Sequence, residues 1–330
     1  MWRLRDLIQF YFEKNAGRFF VNILVPVFVA LLFHYIFRQD YFLNLLGVMT
    51  VGFLFGVPML MGALTVMLSK REDVESRTFC ALMPWVNIVV FMILTLAFNT
   101  EGWGCWVMAT PLFMGMSTIG GLMARHYKLR DRNKMPVSLA IVFLPFIVAP
   151  LEHWIGNIPG QYKADTQIDI HAPAAKIWKN VTRVREIPAS QDKGWLTKFM
   201  NFPRPVKAEL DYTRVGGVRE AVFTGGLVFH ETVTAYQEQQ KMAFTIQANP
   251  YDIPSTTMDE HIVIGGAFFD VLNGTYELEQ LGDNYYRVHL YSYYKLNTTF
   301  NFYASIWAGW IMKDIQGNIL QVLKSRCENK

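Results

Sequence analysis

Apolar residues follow two regimes along this chain. Up to about residue 155 they run in long uncharged blocks divided by short charged connections. From about residue 157 they alternate, or recur at short range, among evenly spread polar residues. The first regime is the pattern of helices in lipid and the second that of a water-soluble fold. The chain therefore divides into an expected transmembrane domain, 1–156, and a soluble domain, 157–330. Five blocks, 19–37, 41–69, 79–98, 103–123 and 137–154, carry no Asp, Glu, Lys or Arg until Glu152. At a rise of about 1.5 Å per residue, roughly 20 residues cross about 30 Å of hydrocarbon, so five spans are expected. Pro145 and Pro150 make the fifth block a candidate re-entrant segment, and Gly56-Val57-Pro58 a candidate break in the second. The charged, aromatic stretch before residue 19 reads as an interfacial amphipathic segment or a topogenic flank. Gly52 with Gly56, and Ser117 with Gly121, have the spacing that lets helix backbones approach closely, read first as packing within the bundle. His34, Asn44, Asn87 and Thr110 are scattered polar groups. With no ionisable residue in mid-span, a transporter or pump is disfavoured.

Beyond residue 157 the pattern predicts a strand over 166–171, a helix over 174–184 with Pro173 at its start, and a second short helix over 192–200. Strands follow over 206–212, 217–224, 227–237, 241–248, 267–281 and 285–297, and a long helix over 301–327 ends the chain. One strand, two short helices, a run of antiparallel strands and a long terminal helix make an α+β plan. In the last strand Tyr286, Val288, Leu290, Tyr294 and Leu296 share one face while Arg287, His289 and Lys295 share the other. An apolar face of that kind needs a cover, and Tyr303, Ile306, Trp307, Trp310, Ile311, Ile315, Ile319 and Val322 of the final helix are the expected one.

The formal net charge of +4 belongs to the first half, because Lys and Arg match Asp and Glu 18 to 18 from residue 157 on. A nucleic-acid-binding module would place a basic stripe on the soluble half, so none is expected. The basic residues instead report topology. Arg3, Arg5, Lys14 and Arg18 precede the first block; Lys70, Arg71 and Arg77 follow the second; Arg125, Lys128, Arg130, Arg132 and Lys134 follow the fourth. Positive charge stays cytoplasmic. Five spans with a cytoplasmic N-terminus then put the soluble domain outside a bacterial inner membrane, in the periplasm of a Gram-negative host. Cys80, Cys105 and Cys327 have neither disulfide-framework nor metal spacing. No GxSxG, Walker A, GxGxxG or HExxH motif occurs, which disfavours hydrolase, nucleotide-dependent and metalloprotease chemistry and leaves no cofactor expected.

Residues 164–328 resemble the START-like (SRPBCC, helix-grip) superfamily of polyketide cyclase/dehydrase and lipid-transport proteins. The resemblance rests on IDIHAPAAKIWKNV (168–181), GGVRE (216–220), FHETVTAY (229–236), GTYELE (274–279) and ILQVLKSRCE (319–328), in that order and spacing. It implies a curved antiparallel sheet wrapped around a long C-terminal helix, with a cavity between them that holds a lipid, polyketide or other apolar molecule. The superfamily has no universal catalytic motif, so the resemblance supplies no catalytic residue.

The candidate cavity residues are Arg219, Glu231, His261, Leu290, Tyr294, Tyr303, Trp307 and Trp310. Glu231 shares strand parity with Val233 and Ala235 and so faces inward, with His230 outward. A buried Glu needs a partner, and Arg219 on the neighbouring strand is the expected one, as a structural ion pair or a ligand contact. Asp259-Glu260-His261 alternates in direction on an extended chain and reads as a solvated loop. The surrounding stretch 249–266, with Pro250, Pro254 and a closing Gly265-Gly266, reads as a lid. The leading expectation is membrane-tethered binding of a hydrophobic small molecule or lipid. The alternatives are a cyclase/dehydrase-type enzyme using Glu231 or His261 as general acid or base, and a structural or sensory subunit with a filled cavity.

Overall fold

The computed structural model describes residues 4–39, 47–130, 136–248 and 264–328. The chain forms two compact units, Met1–Asn157 and Ile158–Lys330. The first is helical: α1 (Leu4–Phe37), a π-helical turn (Gly52–Gly56) running into α2 (Val57–Leu68), α3 (Arg71–Glu75), α4 (Arg77–Ala97), α5 (Trp103–Arg130) and α6 (Pro136–Ile155). Among the described residues three helices are long and apolar enough to cross a membrane, Phe19–Phe37 within α1, α4 and α5, rather than the five expected; Gly52–Leu68 is a shorter apolar helix.

The second block departs from expectation for a local reason. Thr50 Oγ1 donates to the Gly47 carbonyl (2.6 Å) and accepts from the Phe53 amide (3.2 Å), so it caps a helix that starts only at residue 51. The wide π turn then absorbs Pro58, which has no amide proton to give to the helix ladder. The earlier part of that block, 41–46, lies outside the described residues. α6 takes the place of the fifth block and is helical throughout despite Pro145 and Pro150. The N-terminal stretch is not a separate interfacial element either, since α1 is continuous from Leu4 into the first span.

Small residues set the spacing of this bundle. A Cβ built on Gly52 would lie 2.9 Å from the Ala149 amide nitrogen, and one on Gly56 would lie 2.9 Å from the Pro145 ring, so the GxxxG packs within the chain against α6. The α2–α5 crossing is closer still. A Cβ on Gly62 would lie 1.9 Å from the Ser117 carbonyl oxygen, and one on Gly120 would lie 1.9 Å from that of Met59. Side-chain amide N–H groups inside the bundle are hydrogen-bonded across its helices. Asn87 Nδ2 donates to the Asn22 carbonyl (2.9 Å) and to Thr65 Oγ1 (2.6 Å), and Asn22 Nδ2 donates to Ser69 Oγ (3.0 Å), tying α1, α2 and α4 together.

The second unit is a seven-stranded antiparallel sheet, built from β1 (Ile158–His171), β2 (Pro205–Leu210), β3 (Val218–Phe223), β4 (Val228–Gln237), β5 (Lys241–Ala248), β6 (Phe269–Gly282) and β7 (Tyr285–Thr298) in the order β1-β7-β6-β5-β4-β3-β2. Two short helices, α7 (Ala174–Thr182) and α8 (Trp195–Phe199), and the long α9 (Asn301–Glu328) complete it. The curled sheet with its C-terminal helix fits a helix-grip domain. β1 is much longer than its TQIDIH signature, because the stretch from Ile158, with Pro159 and Gly160, pairs with β7 along its whole length although it lacks alternation. In β7, Val288, Leu290, Ser292, Tyr294 and Leu296 are buried at alternate positions, as the period of a half-covered strand requires.

α9 has the expected length, and Val322 and Ile319 pack inward as expected, but the rest of its buried face differs. Ala308, Met312, Gln316, Leu320, Leu323 and Cys327 face inward, whereas Ile306 and Trp310, expected in the cover, are about half exposed. The first turns of α9 are apolar nearly all round, so periodicity leaves their phase open. What decides it is size: Ala308 and Gly309 admit Tyr294, whose hydroxyl is 3.5 Å from a Cβ built on Gly309. Gln316 is accommodated inside because Thr166 Oγ1 donates to its Oε1 (2.9 Å) while its Nε2 donates to Ser292 Oγ (3.2 Å).

On the outer face of the β1–β7 pair, Arg287 grips Asp169 through two bonds of 2.7 and 3.0 Å. Arg287, with the Tyr285 hydroxyl, holds the Asp169 carboxyl below its ordinary 3.8. A carboxyl lowered by folding contributes stability that is complete above its unfolded value and lost as pH falls through its folded value. Asp169→Asn is therefore expected to flatten the fall in urea midpoint between about pH 5 and pH 3 and leave the neutral-pH slope unchanged. An unchanged acid limb would refute this.

Candidate functional site

The polar centre of the helix-grip domain lies where β3 and β4 pair. Arg219 and Glu231 are direct cross-strand partners. Burial alternates Phe229, Glu231, Val233 along β4, with His230 exposed between them, so strand period alone turns the carboxylate inward and the imidazole outward. Arg219 Nη1 donates to Glu231 Oε2 at 2.5 Å, and the residues are 3% and 4% exposed. Two aromatic rings close over the guanidinium, Phe244 at 5.3 Å and Tyr276 at 5.9 Å, distances at which a ring face attracts a cation. Gly274, the cross-strand partner of Phe244, makes room for that ring: a Cβ there would lie 2.6 Å from Phe244 Cζ.

Burial pushes the Glu231 carboxyl above its ordinary range, and the Arg219 charge beside it pulls only part of the way back. Burial also raises the Tyr276 phenol, opposed by Arg219. Arg219 keeps its charge. Its Nε has no hydrogen-bond partner among the described residues, which leaves one donor of a buried cation unspent. Beyond Tyr276 lies a small hollow against α7 and the C-terminal half of α9, bounded by Val181, Val184, Ile319 and Leu323. Its volume of about 10 Å³ admits one water molecule.

The expected site residues do not all converge. Arg219 and Glu231 meet as the parity of β4 predicts. Leu290 packs in the same apolar cluster as Tyr276 and Phe244, whereas Tyr294 belongs to a neighbouring cluster with Val271, Leu296 and Met312, its ring stacked at 5.7 Å on that of Tyr162. Trp310 is turned outward, over half exposed, and meets Trp307 edge-on at 5.3 Å; Tyr303 and Trp307 are only half-buried. These aromatics of α9 thus neither line nor plug the hollow. His261, with Asp259, Glu260 and most of the expected lid, lies outside the described residues.

Tyr276 is the site residue that sequence reasoning passed over. Its signal was parity: within GTYELE it alternates inward with Leu278, and the inward neighbours on the next strand are Phe244 and Met242. Among the described residues no three His, Cys, Asp or Glu side chains gather as a metal site. Cys327 is buried and its thiol is pushed up to about 11, which keeps it protonated and a poor nucleophile.

The helical unit has a polar cluster of its own. His34 Nε2 and Glu101 Oε1 are 2.8 Å apart, Arg38 Nη1 donates to the Thr100 carbonyl, and Glu152 Oε2 accepts from the Gly52 amide at 3.3 Å where the π turn begins. At the far end of α2, Lys128 Nζ donates to the carbonyls of Val66 (3.1 Å), Met67 (2.7 Å) and Ser69, and Arg71 donates to those of Lys128 and Leu129. The basic connections therefore meet at one end of the bundle, while His34, Glu101 and Glu152 lie toward the other.

No family model matches the chain, and no curated protein matches it. Solved structures match about half of the chain. A protein from Arthrobacter aurescens is 14% identical with a TM-score of 0.32, over 51% of this chain and 87% of that one. A truncated norcoclaurine synthase from Thalictrum flavum is 11% identical with a TM-score of 0.33, over 53% and 97%. Aha1 from Colwellia psychrerythraea is 18% identical with a TM-score of 0.28, over 51% and 97%.

Proposed function

We propose that this protein is a membrane-anchored binder of a hydrophobic small molecule or lipid, held between the sheet and α9 of its helix-grip domain with its polar end at Arg219 and Tyr276. The observation that carries this reading is the buried Arg219, paired to Glu231 yet with no partner for its Nε among the described residues, beside the apolar cluster of Phe244 and Leu290. An ion pair in such a place gains little stability over a packed apolar core. Its value lies in what it can recognise, and the spare N–H suits a carbonyl, carboxylate or phosphate oxygen. The hollow beside Tyr276 holds only a water, so the ligand enters by parting α9 and α7 from the sheet. Catalysis is the weaker reading, because the Arg219 guanidinium already engages the Glu231 carboxylate, the general acid or base such chemistry would use.

The membrane half supports the anchoring. Its basic end, at Lys128 and Arg71, belongs on the cytoplasmic side by the positive-inside rule. α6 ends at the other face, beside the start of the π turn, which sends the chain into its second unit on the extracytoplasmic side of a bacterial inner membrane.

Native mass spectrometry of the full chain, extracted in mild detergent, tests the binding. An apolar molecule is expected to accompany the protein and to be lost when Arg219 and Glu231 are together replaced by apolar residues. A protein that carries nothing, and takes nothing from added lipid extract, would instead favour a structural subunit, the reading to which the tight packing around Tyr276 lends weight.

A further inference from the structure

We propose that the helix-grip domain docks on an anionic bilayer surface through an aromatic ridge formed by the first turns of α9 and the adjoining α8. Ile306 and Trp310 are 47% and 54% exposed, and with Phe302 and Asp314 they fall at intervals of four, one side of the helix. α8 adjoins that ridge directly: Asp314 Oδ2 accepts from the Thr197 amide (2.9 Å) and from Thr197 Oγ1 (2.8 Å). Two residues from that contact, Trp195 is 71% exposed. Indole and phenyl groups left in contact with solvent on neighbouring elements are the side chains that settle at the level of lipid headgroups.

The ridge has a definite place in the domain. Asn301 Nδ2 donates to the carbonyl of Ile158, the first residue of β1, and Thr298 pairs with Ile158 across the sheet. α9 thus starts at the end of the domain where the chain arrives, and only Gly156 and Asn157 separate Ile158 from the end of the apolar α6. The charge fits as well: Lys198 on α8, Lys313 on α9 and Lys193 just before α8 are exposed, while Asp192 and Asp314 are bonded to neighbouring side chains or backbone. Basic residues around apolar anchors select an anionic leaflet.

The inference rests on the membrane-anchored reading but not on the ligand, so a failure here leaves the mass-spectrometric test standing, and the reverse. In the full chain freed of its native cysteines and reconstituted in vesicles containing phosphatidylglycerol, a nitroxide is placed at Ile306→Cys, Trp310→Cys or, as a reference in the β6–β7 turn, Asp283→Cys. Oxygen, which partitions into lipid, is expected to relax the labels at 306 and 310 several-fold more, relative to a water-soluble nickel chelate, than the label at 283. Lys193→Glu, Lys198→Glu and Lys313→Glu together should return 306 and 310 to the ratio found at 283. Labels at 306 and 310 that behave like the reference would overturn the proposal. So would labels shielded from both reagents, the mark of a face covered by protein such as a second copy.

Discussion

Gly62→Ala is expected to unseat α2 from α5, although it adds a single methyl group. That methyl would lie 1.9 Å from the Ser117 carbonyl oxygen and 2.7 Å from the carbon that bears it, atoms of helix backbone that cannot rotate away. The two helices must separate by more than an ångström to admit it. Such a shift opens contacts along the whole crossing, where Gly120 lies equally close to Met59 and Gly121 lies close to Cys80. Helix association in lipid relies on close packing rather than on the exclusion of water. The cost should therefore reach or exceed the upper end for overpacking, about 3 kcal/mol. It would appear as loss of the monodisperse peak in fluorescence-detected size exclusion and a markedly lower melting temperature in micelles. Gly115→Ala supplies the control: it lies on the same α5, nothing stands within 4 Å of its added methyl, and the change should be neutral or slightly stabilising. If Gly62→Ala elutes and melts like the parent, the close α2–α5 crossing is wrong.

That crossing shows what one sequence can and cannot reveal. Gly52 and Gly56 were visible as a pair because their spacing is local, and they pack as an intramolecular contact. The Gly62–Ser117–Gly120 crossing was only half visible, since close approach needs small residues on two helices and nothing local says which helices meet. The same holds for the polar groups. His34 reads as an isolated histidine, because Glu101 lies in a connection outside the apolar blocks, and Asn22 and Asn87 meet across 65 residues. In the second half, strand period carried the inference much further. It placed the β4 and β7 faces correctly and paired Arg219 with Glu231, because alternation is rigid and neighbouring hairpin strands must adjoin. It failed on α9, where an apolar surface nearly all round erased the phase. The outward side that resulted is the aromatic ridge now assigned to the bilayer surface.

Arg219→Met and Glu231→Leu should each be severely destabilising alone and close to neutral together. Removing the guanidinium leaves a buried carboxylate beside Tyr276 with no counter-charge, and breaking a buried pair in this way costs about 3–5 kcal/mol. Exchanging both for apolar residues of similar volume removes the desolvation cost of both charges, and such replacements are often neutral or stabilising by about 1–4 kcal/mol. Hydrogen exchange at the β4 amides reads the opening free energy of this region within the full chain. The Arg219→Met deficit should also depend on pH. Burial already raises the Glu231 carboxyl, and without Arg219 to pull it back the rise grows. A carboxyl raised by folding keeps its stability below the unfolded value and loses it as pH climbs through the folded one. The single variant should accordingly approach the parent as pH falls toward the ordinary carboxylate value of 4.5 and diverge from it at neutral pH. A deficit independent of pH would mean that lost packing, rather than an orphaned charge, is responsible. The double variant then separates the two roles of the pair. If it folds as well as the parent but no longer retains a ligand, the charges serve recognition. If it folds and still binds, the ligand's polar end lies elsewhere.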